Sequence, residues 1–184
     1  INYEYFQKIN EKVRCDDITK KNFACLINIH DQKNTRTRIY KLLTRKYHID
    51  CPSKLFNNCD NKELNELGNV EYISQYLFNI CSENSICKID GYITEKIMNC
   101  CLGGAIAIYC GWFSDIDAKI FNKNRIIFYD PYDDTSLHNA LEKINALMNT
   151  NEIIDFYKQP VFCESAYETI KEMHDIIKRN LFHN

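Results

Sequence analysis

The sequence predicts an α+β fold: a helical N-terminal half, residues 1–98, packed on a small sheet flanked by helices from residues 99–184, the whole forming one domain. Three observations predict it. Apolar residues recur at helical spacing through most of the first hundred positions. Two runs rich in β-branched and aromatic residues, 105–109 and 126–129, then break that pattern. Gly103, Gly104, Gly111 and Pro131 punctuate the same stretch, which also holds the only Trp. An all-α bundle is the alternative, because residues 97–109 also read as a single apolar helix.

Taken in order, Tyr3, Phe6, Ile9 and Val13 mark a first helix, ended by Asp16 and Asp17. Phe23, Leu26 and Ile27 give a short second apolar face. Thr35 or Thr37 caps a third helix carrying Ile39, Leu42, Leu43 and Tyr47, closed by Pro52. Asp60 with Glu63 resembles a capping box, and Leu64, Leu67, Val70, Ile73 and Leu77 continue that helix, with a break at Gly68-Asn69. Residues 82–91 read as a loop. Strands are expected near 105–110 and 125–130, the two forming a hairpin, and a third near 152–157, where Ile153, Ile154, Phe156 and Tyr157 precede Pro160. Between them, Thr135 or Ser136 caps a helix with Leu137, Ala140, Leu141, Ile144, Leu147 and Met148 on one face. A final helix, 164–182, sets Tyr167, Ile170, Ile177 and Leu181 opposite charged residues.

Composition removes several classes of function. A net charge of −2 encodes no general attraction to nucleic acid or to an anionic membrane surface, and no apolar run is long enough for a membrane span. Ile (25), Asn (21) and Lys (17) are over-represented, a bias typical of AT-rich coding genomes such as those of parasites, symbionts and large DNA viruses. The chain opens at Ile1 without a basic-then-apolar leader and is expected to be a processed product or an excised domain.

Ten cysteines stand at 15, 25, 51, 59, 81, 87, 100, 101, 110 and 163. Cys25, Cys81, Cys101 and Cys110 fall where a helix or strand wants a small apolar residue, which favours reduced thiols and a reducing compartment. A disulfide framework is the open alternative. No Cys-x-x-Cys pair occurs, and His48, Cys51 and Cys59 lack a second half, so neither a metal nor a cofactor is expected.

Two stretches resemble known families. Gly103-Gly104 before one strand, Phe128-Tyr129-Asp130-Pro131 after the next, and a Cys opening the last helix resemble the ubiquitin-like-protein and adenoviral cysteine protease superfamily. That resemblance implies Cys163 as nucleophile, Gln159 as oxyanion-hole donor and Asp130 as the carboxylate that orients a histidine base. No His lies between His48 and His138, so the base is missing from its strand. Glu95 to Ala105, with Lys96 eight residues before Gly104, is similar to the first homology motif of Bcl-type apoptosis regulators, including virus-encoded members; it implies a groove-lining helix in an all-α fold.

Arg36, Arg38, Lys41, Arg45 and Lys46, with no acid between them, form a basic helix face that reads as a solvated surface or, alternatively, as a grip for phosphate or an acidic partner. With no complete catalytic set, the reading is a non-catalytic protein-interaction module, a parasite or viral regulatory or surface protein whose partner is another protein. The alternative is a thiol-dependent protease or deconjugase using Cys163. Asp130 is expected to close its strand and cap the turn before the Ser136 helix.

Overall fold

The structure, a computed structural model, describes residues 2–86, 88 and 93–182. Cys87 and residues 89–92, part of the expected 82–91 loop, lie outside the described residues. Five strands, β1 (Asn22–Cys25), β2 (Ile49–Asp50), β3 (Tyr76–Ile80), β4 (Ile106–Tyr109) and β5 (Ile126–Phe128), form one sheet in the order β2-β1-β3-β4-β5. Every pairing is parallel. The helices are α1 (Tyr3–Cys15), α2 (Thr35–Leu43), α3 (Lys62–Leu67), α4 (Asn69–Ile73), α5 (Glu95–Gly103), α6 (Asp117–Ile120), α7 (Asp134–Asn149), α8 (Glu152–Lys158) and α9 (Ala166–Phe182). Among the described residues, no helix is long and apolar enough to cross a membrane.

The expected mixture of helices with a helix-flanked sheet is present, but the arrangement is α/β, which corrects the α+β division of the chain and its all-α alternative. Residues 1–98 are not a helical half, for they supply three of the five strands. The short helix expected around Phe23 is β1, and the residues expected to end the 64–77 helix begin β3. Strands of a parallel sheet are covered on both faces and lose the apolar–polar alternation that marks an exposed sheet. All five residues of β3 are buried, and at this length a continuous apolar run cannot be told from a helix turn. The expected hairpin of 105–110 with 125–130 is a parallel pair, Ala107 beside Ile126 and Tyr109 beside Phe128, joined by a crossover through α6. The third strand expected at 152–157 is α8, with Tyr157 buried against the core.

Other elements follow the sequence. Asn2 caps α1 by accepting from the Tyr5 amide at 3.0 Å, and Phe6 and Val13 are its buried face. In α7, Leu137, Ala140, Ile144 and Leu147 are buried at helical spacing. Its cap is Asp133, accepting from the Thr135 amide at 2.9 Å, in place of Thr135 or Ser136. Gly68 breaks the 62–73 helical stretch at φ +79°. Gly104 closes α5 at φ +80°, and a Cβ there would stand 2.8 Å from Val13 Cγ2, so the Gly103-Gly104 pair is a packing device.

The strand order fixes where a ligand can enter. From β1 the chain moves to β2 on one side, then returns past β1 to β3 and on to β4 and β5. Right-handed crossovers in opposite directions put α2 and α5 on opposite faces, and α2 packs against α7 while α5 packs against α4. The carboxyl ends of β1 and β3 therefore send their loops apart and open a crevice at the reversal point of the sheet.

Candidate functional site

A cleft of about 740 Å³ occupies that crevice. It is lined by the loop after β1 (Ile27–Lys33, Thr35 and Arg36), by Asn79–Cys81 and Asn84 at the end of β3, and by Glu95, Lys96 and Asn99 on the first turns of α5. Six asparagines, 28, 65, 69, 79, 84 and 99, and Ser53 supply polar edges, while Ile27, Ile73 and Ile80 supply an apolar floor. Its size lies within the range of small-molecule sites, roughly 300–1,000 Å³.

Three cationic side chains line the cleft: Lys33, which is exposed, and Arg36 and Lys96, which are held in place. Arg36 is 2% exposed, and its guanidinium is held from three sides. Nη1 donates to the His30 carbonyl at 3.1 Å, and Nη2 donates to the Ser82 carbonyl at 2.6 Å and to Asn84 Oδ1 at 2.8 Å. Asp31 lies 3.7 Å from Nη1. Among the described residues, Arg36 Nε and Tyr109 Oη are the buried side-chain polar atoms without a protein partner. Such atoms are rare in folded proteins, and at a ligand cleft an unused donor is meaningful.

Asp31 holds the start of α2. Its carboxylate accepts from the amides of Arg36 and Thr37 and from the hydroxyls of Thr35 and Thr37. Burial raises the carboxyl pKa, but the Thr37 hydroxyl and amide, the Arg36 amide and the Thr35 hydroxyl outweigh it, so Asp31 sits below the usual carboxylate range. The amides at the start of α2 are therefore already occupied by a protein anion.

The start of α5 is built differently. Glu83, fully buried, accepts from the Thr94 amide at 3.0 Å and from its hydroxyl at 2.6 Å, tying the loop after β3 to the helix cap. Lys96 Nζ stands 3.8 Å from Glu83, donates to Thr94 Oγ1 at 3.0 Å and pairs with Glu95 at 3.2 Å. The Lys96 ammonium thus lies in the first turn of α5, where the helix dipole is positive. Glu95, whose side chain is 70% exposed, is held below the usual carboxylate range by a backbone hydrogen bond and by Lys96. The buried Tyr129 hydroxyl donates to the Thr35 carbonyl at 3.0 Å and pairs with Ser82 Oγ, bracing the two sides of the cleft from beneath.

The residues singled out from sequence lie elsewhere, with one exception. Cys163 lines a second cleft between α1 and residues 160–167, its Sγ donating to the Ala118 carbonyl at 3.5 Å, and burial pushes the thiol up. His48, His138 and His174 are paired with Asp50, Glu142 and Asp175. Gln159 closes α8. Asp130 lies in the turn after β5, Oδ1 accepting from the Tyr132 amide at 2.8 Å and its own amide donating to Ser136 Oγ at 2.9 Å. The basic run on α2 divides. Arg36 turns into the cleft, Arg38 binds the Pro131 carbonyl and Asp134, Lys41 and Arg45 are exposed, and Lys46 donates to Asn145 Oδ1 at 3.1 Å. Among the described residues, no three His, Cys, Asp or Glu side chains are grouped as metal ligands.

Missing from the sequence reading were Asp31, Glu83, Asn84 and Glu95 as site residues, and Lys96 was placed in a different motif. The available signal was Thr94-Glu95-Lys96, a helix cap followed by two charges, directly ahead of an apolar run.

Comparison with known proteins agrees with this geometry. Residues 18–159 match the model of the C-terminal part of glycosyltransferase family 10 (fucosyltransferase). An alpha-(1,3)-fucosyltransferase, FucT, of Helicobacter pylori is 29% identical over 151 residues, which are 79% of this chain and 29% of that protein. Crystal structures of an alpha1,3-fucosyltransferase superpose with TM-scores of 0.64 with GDP bound and 0.60 with GDP-fucose bound, at 22% identity, covering 96% of this chain. The chain spans about half the length of those structures (51% and 52%) and less than a third of the curated relative.

These findings overturn the resemblances to the cysteine protease superfamily and to the Bcl-type regulators. The 103–133 stretch belongs to a parallel sheet, and residues 95–105 are α5 running into β4. The readings as a protein-binding module, a pseudoprotease or a viral regulator fall with them, because the residues matched to the glycosyltransferase family include the cleft with Arg36 and Lys96. With residues 18–159 of its 184 matched, the chain belongs to glycosyltransferase family 10, the fucosyltransferases.

Proposed function

We propose that this chain is the donor-binding part of a fucosyltransferase that holds the diphosphate of a nucleotide sugar, GDP-fucose, between Arg36 and the start of α5. One observation carries the reading: Arg36, whose Nε has no protein partner, and Lys96, at the start of α5, both reach the cleft at the reversal point of the sheet. Doubly wound sheets bind nucleotides at this place. Asp31 occupies the start of α2, whereas the start of α5, capped by the Thr94 hydroxyl, carries the Lys96 ammonium beside the cleft.

The solved structures of the same fold hold GDP and GDP-fucose, which supports the choice of donor. The partner is then a nucleotide-sugar donor with a glycan acceptor, in place of the protein partner expected from sequence. In the transfer, the bond from the sugar C1 to the β-phosphate oxygen breaks and its electrons remain on the diphosphate. An acceptor hydroxyl oxygen bonds to C1, and its proton passes to solvent water. Arg36 and Lys96, fixed before the reaction, stabilise the charge that grows on the leaving diphosphate. The exposed carboxylate of Glu95 beside Lys96 is placed to accept from sugar or ribose hydroxyls.

Calorimetric titration with GDP tests the proposal. The chain is expected to bind GDP, and Lys96→Met is expected to weaken binding by about tenfold to a hundredfold, the usual loss for one partner of a close charge pair. Unchanged affinity in Lys96→Met, or no binding by the parent chain, contradicts the proposal.

A further inference from the structure

The carboxyl rim of the sheet carries a second built feature, beside the cleft and outside its lining. Tyr109 at the end of β4, Phe113 just after it and Phe128 at the end of β5 pack edge-to-face, with centroids 5.2–6.3 Å apart and interplanar angles of 71–84°. Tyr109 is fully buried at the base, while Phe128 is 42% exposed. Trp112 stands next in sequence, with Lys88 Nζ 5.4 Å from its ring centroid. A large ring left open at the end of the edge strand β5, supported from below by two other rings, is a surface prepared for contact.

The shelf is continuous with the cleft. Tyr132, 56% exposed, donates through its hydroxyl to the carbonyl of Lys33, which lines the cleft wall. From the other side, the Glu83 amide donates to the Cys110 carbonyl at 2.7 Å. Gly111 keeps the junction narrow, since a Cβ there would meet Tyr109 Oη at 2.4 Å and Glu83 Cγ at 2.8 Å. The loop that holds the shelf is thus packed directly on the loop that holds Glu83.

We propose that Phe128, with Phe113 behind it and Tyr132 at its edge, is the subsite for the acceptor sugar. The inference rests on the donor reading above. An acceptor must lie beside the donor, not in its cleft, and the shelf borders the cleft on the β4–β5 side. The occupant is a neutral hexose ring. Its C–H face lies against the electron-rich face of an aromatic ring, while its hydroxyls remain at the polar edge formed by Tyr132 and the cleft. A charged or strongly apolar ligand would not suit a shelf that is open to water and flanked by Lys33 and Lys88.

Trp112, the only tryptophan, reports on this site. Lactose is titrated into the GDP-saturated chain while Trp112 emission is followed, for the parent chain, Phe128→Ala and Phe128→Tyr. The expected result is saturable binding that Phe128→Ala weakens about five- to tenfold, the size of one aromatic contact, and that Phe128→Tyr retains. GDP affinity should stay within about twofold in both variants, since Phe128 is outside the cleft lining. GDP binding without any lactose response, or equal lactose affinity in Phe128→Ala, overturns the shelf and leaves the donor site standing. Failure of the parent chain to bind GDP overturns the donor reading itself.

Discussion

Replacing Arg36 by Met separates the two jobs that its guanidinium performs. Met keeps an unbranched chain in the same space and removes all donors. The structure then loses the hydrogen bonds to the His30 carbonyl, the Ser82 carbonyl and Asn84 Oδ1, and the ion pair to Asp31 at 3.7 Å. Asp31 is not orphaned, because two amides and two hydroxyls still donate to it. The main cost is the buried Ser82 carbonyl left without a partner, about 1–3 kcal/mol, and the part-buried bonds to His30 and Asn84 add about 1 kcal/mol, so the total comes to about 3 kcal/mol. Urea unfolding followed by far-ultraviolet circular dichroism should show the midpoint lowered by about 1–2 M, with little change in slope. Below the transition, where the variant is folded, GDP affinity should fall by at least about tenfold through the lost charge. A variant as stable as the parent would refute the burial of the guanidinium. A destabilised variant that binds GDP normally would refute its role toward the diphosphate.

Other consequences are independent of the cleft. Arg125 is 3% exposed and donates to the carbonyls of Tyr157, Ala105 and Gly104, and burial lowers its pKa. Arg125→Met should cost about 3–5 kcal/mol in urea unfolding while leaving the GDP affinity of the folded protein unchanged. Asp31 has a folded pKa below its ordinary 3.8, so the unfolded state binds the proton more readily. Its contribution is complete above about pH 4 and is lost as pH falls through the lower folded value; in acid titrations Asp31→Asn should be less stable at neutral pH and show a shallower loss in that window. Burial pushes Cys51 and Cys110 up to about 12, whereas Cys15 is exposed. Peptide mapping after brief alkylation of the native chain at neutral pH should find Cys15 modified and Cys51 and Cys110 intact.

How far the sequence could be read depended on whether a pattern has a period. Helix α7 was legible because its apolar residues repeat every three to four positions over 16 residues. Strands β4 and β5 were legible from β-branched and aromatic content, yet their direction was not: nothing local distinguishes a hairpin from a parallel pair with a 16-residue connection. That error made Asp130 a catalytic candidate, since a hairpin ending in Tyr-Asp-Pro implied a different topology. Strand β3, buried along its whole length, and the four-residue β1 had no alternation to read, and without them the reversal point of the sheet could not be located. Helix α8 was taken as a strand because Ile153, Ile154, Phe156 and Tyr157 favour strands locally; its packing on α1 and α7 overrode that preference. Arg36 was noticed only as one of five bases. Its separation from Lys41 and Arg45 is a matter of burial, set by the loops after β1 and β3.

The central claim is a location, and amide chemical-shift mapping tests it most directly. On addition of GDP to the labelled chain, the account predicts shifts concentrated in residues 27–36, at Asn84, and in Glu95–Asn99 at the start of α5, with α1 and residues 160–167 unmoved. Shifts centred on the second cleft around Cys163, or no saturable shifts at all, would contradict it.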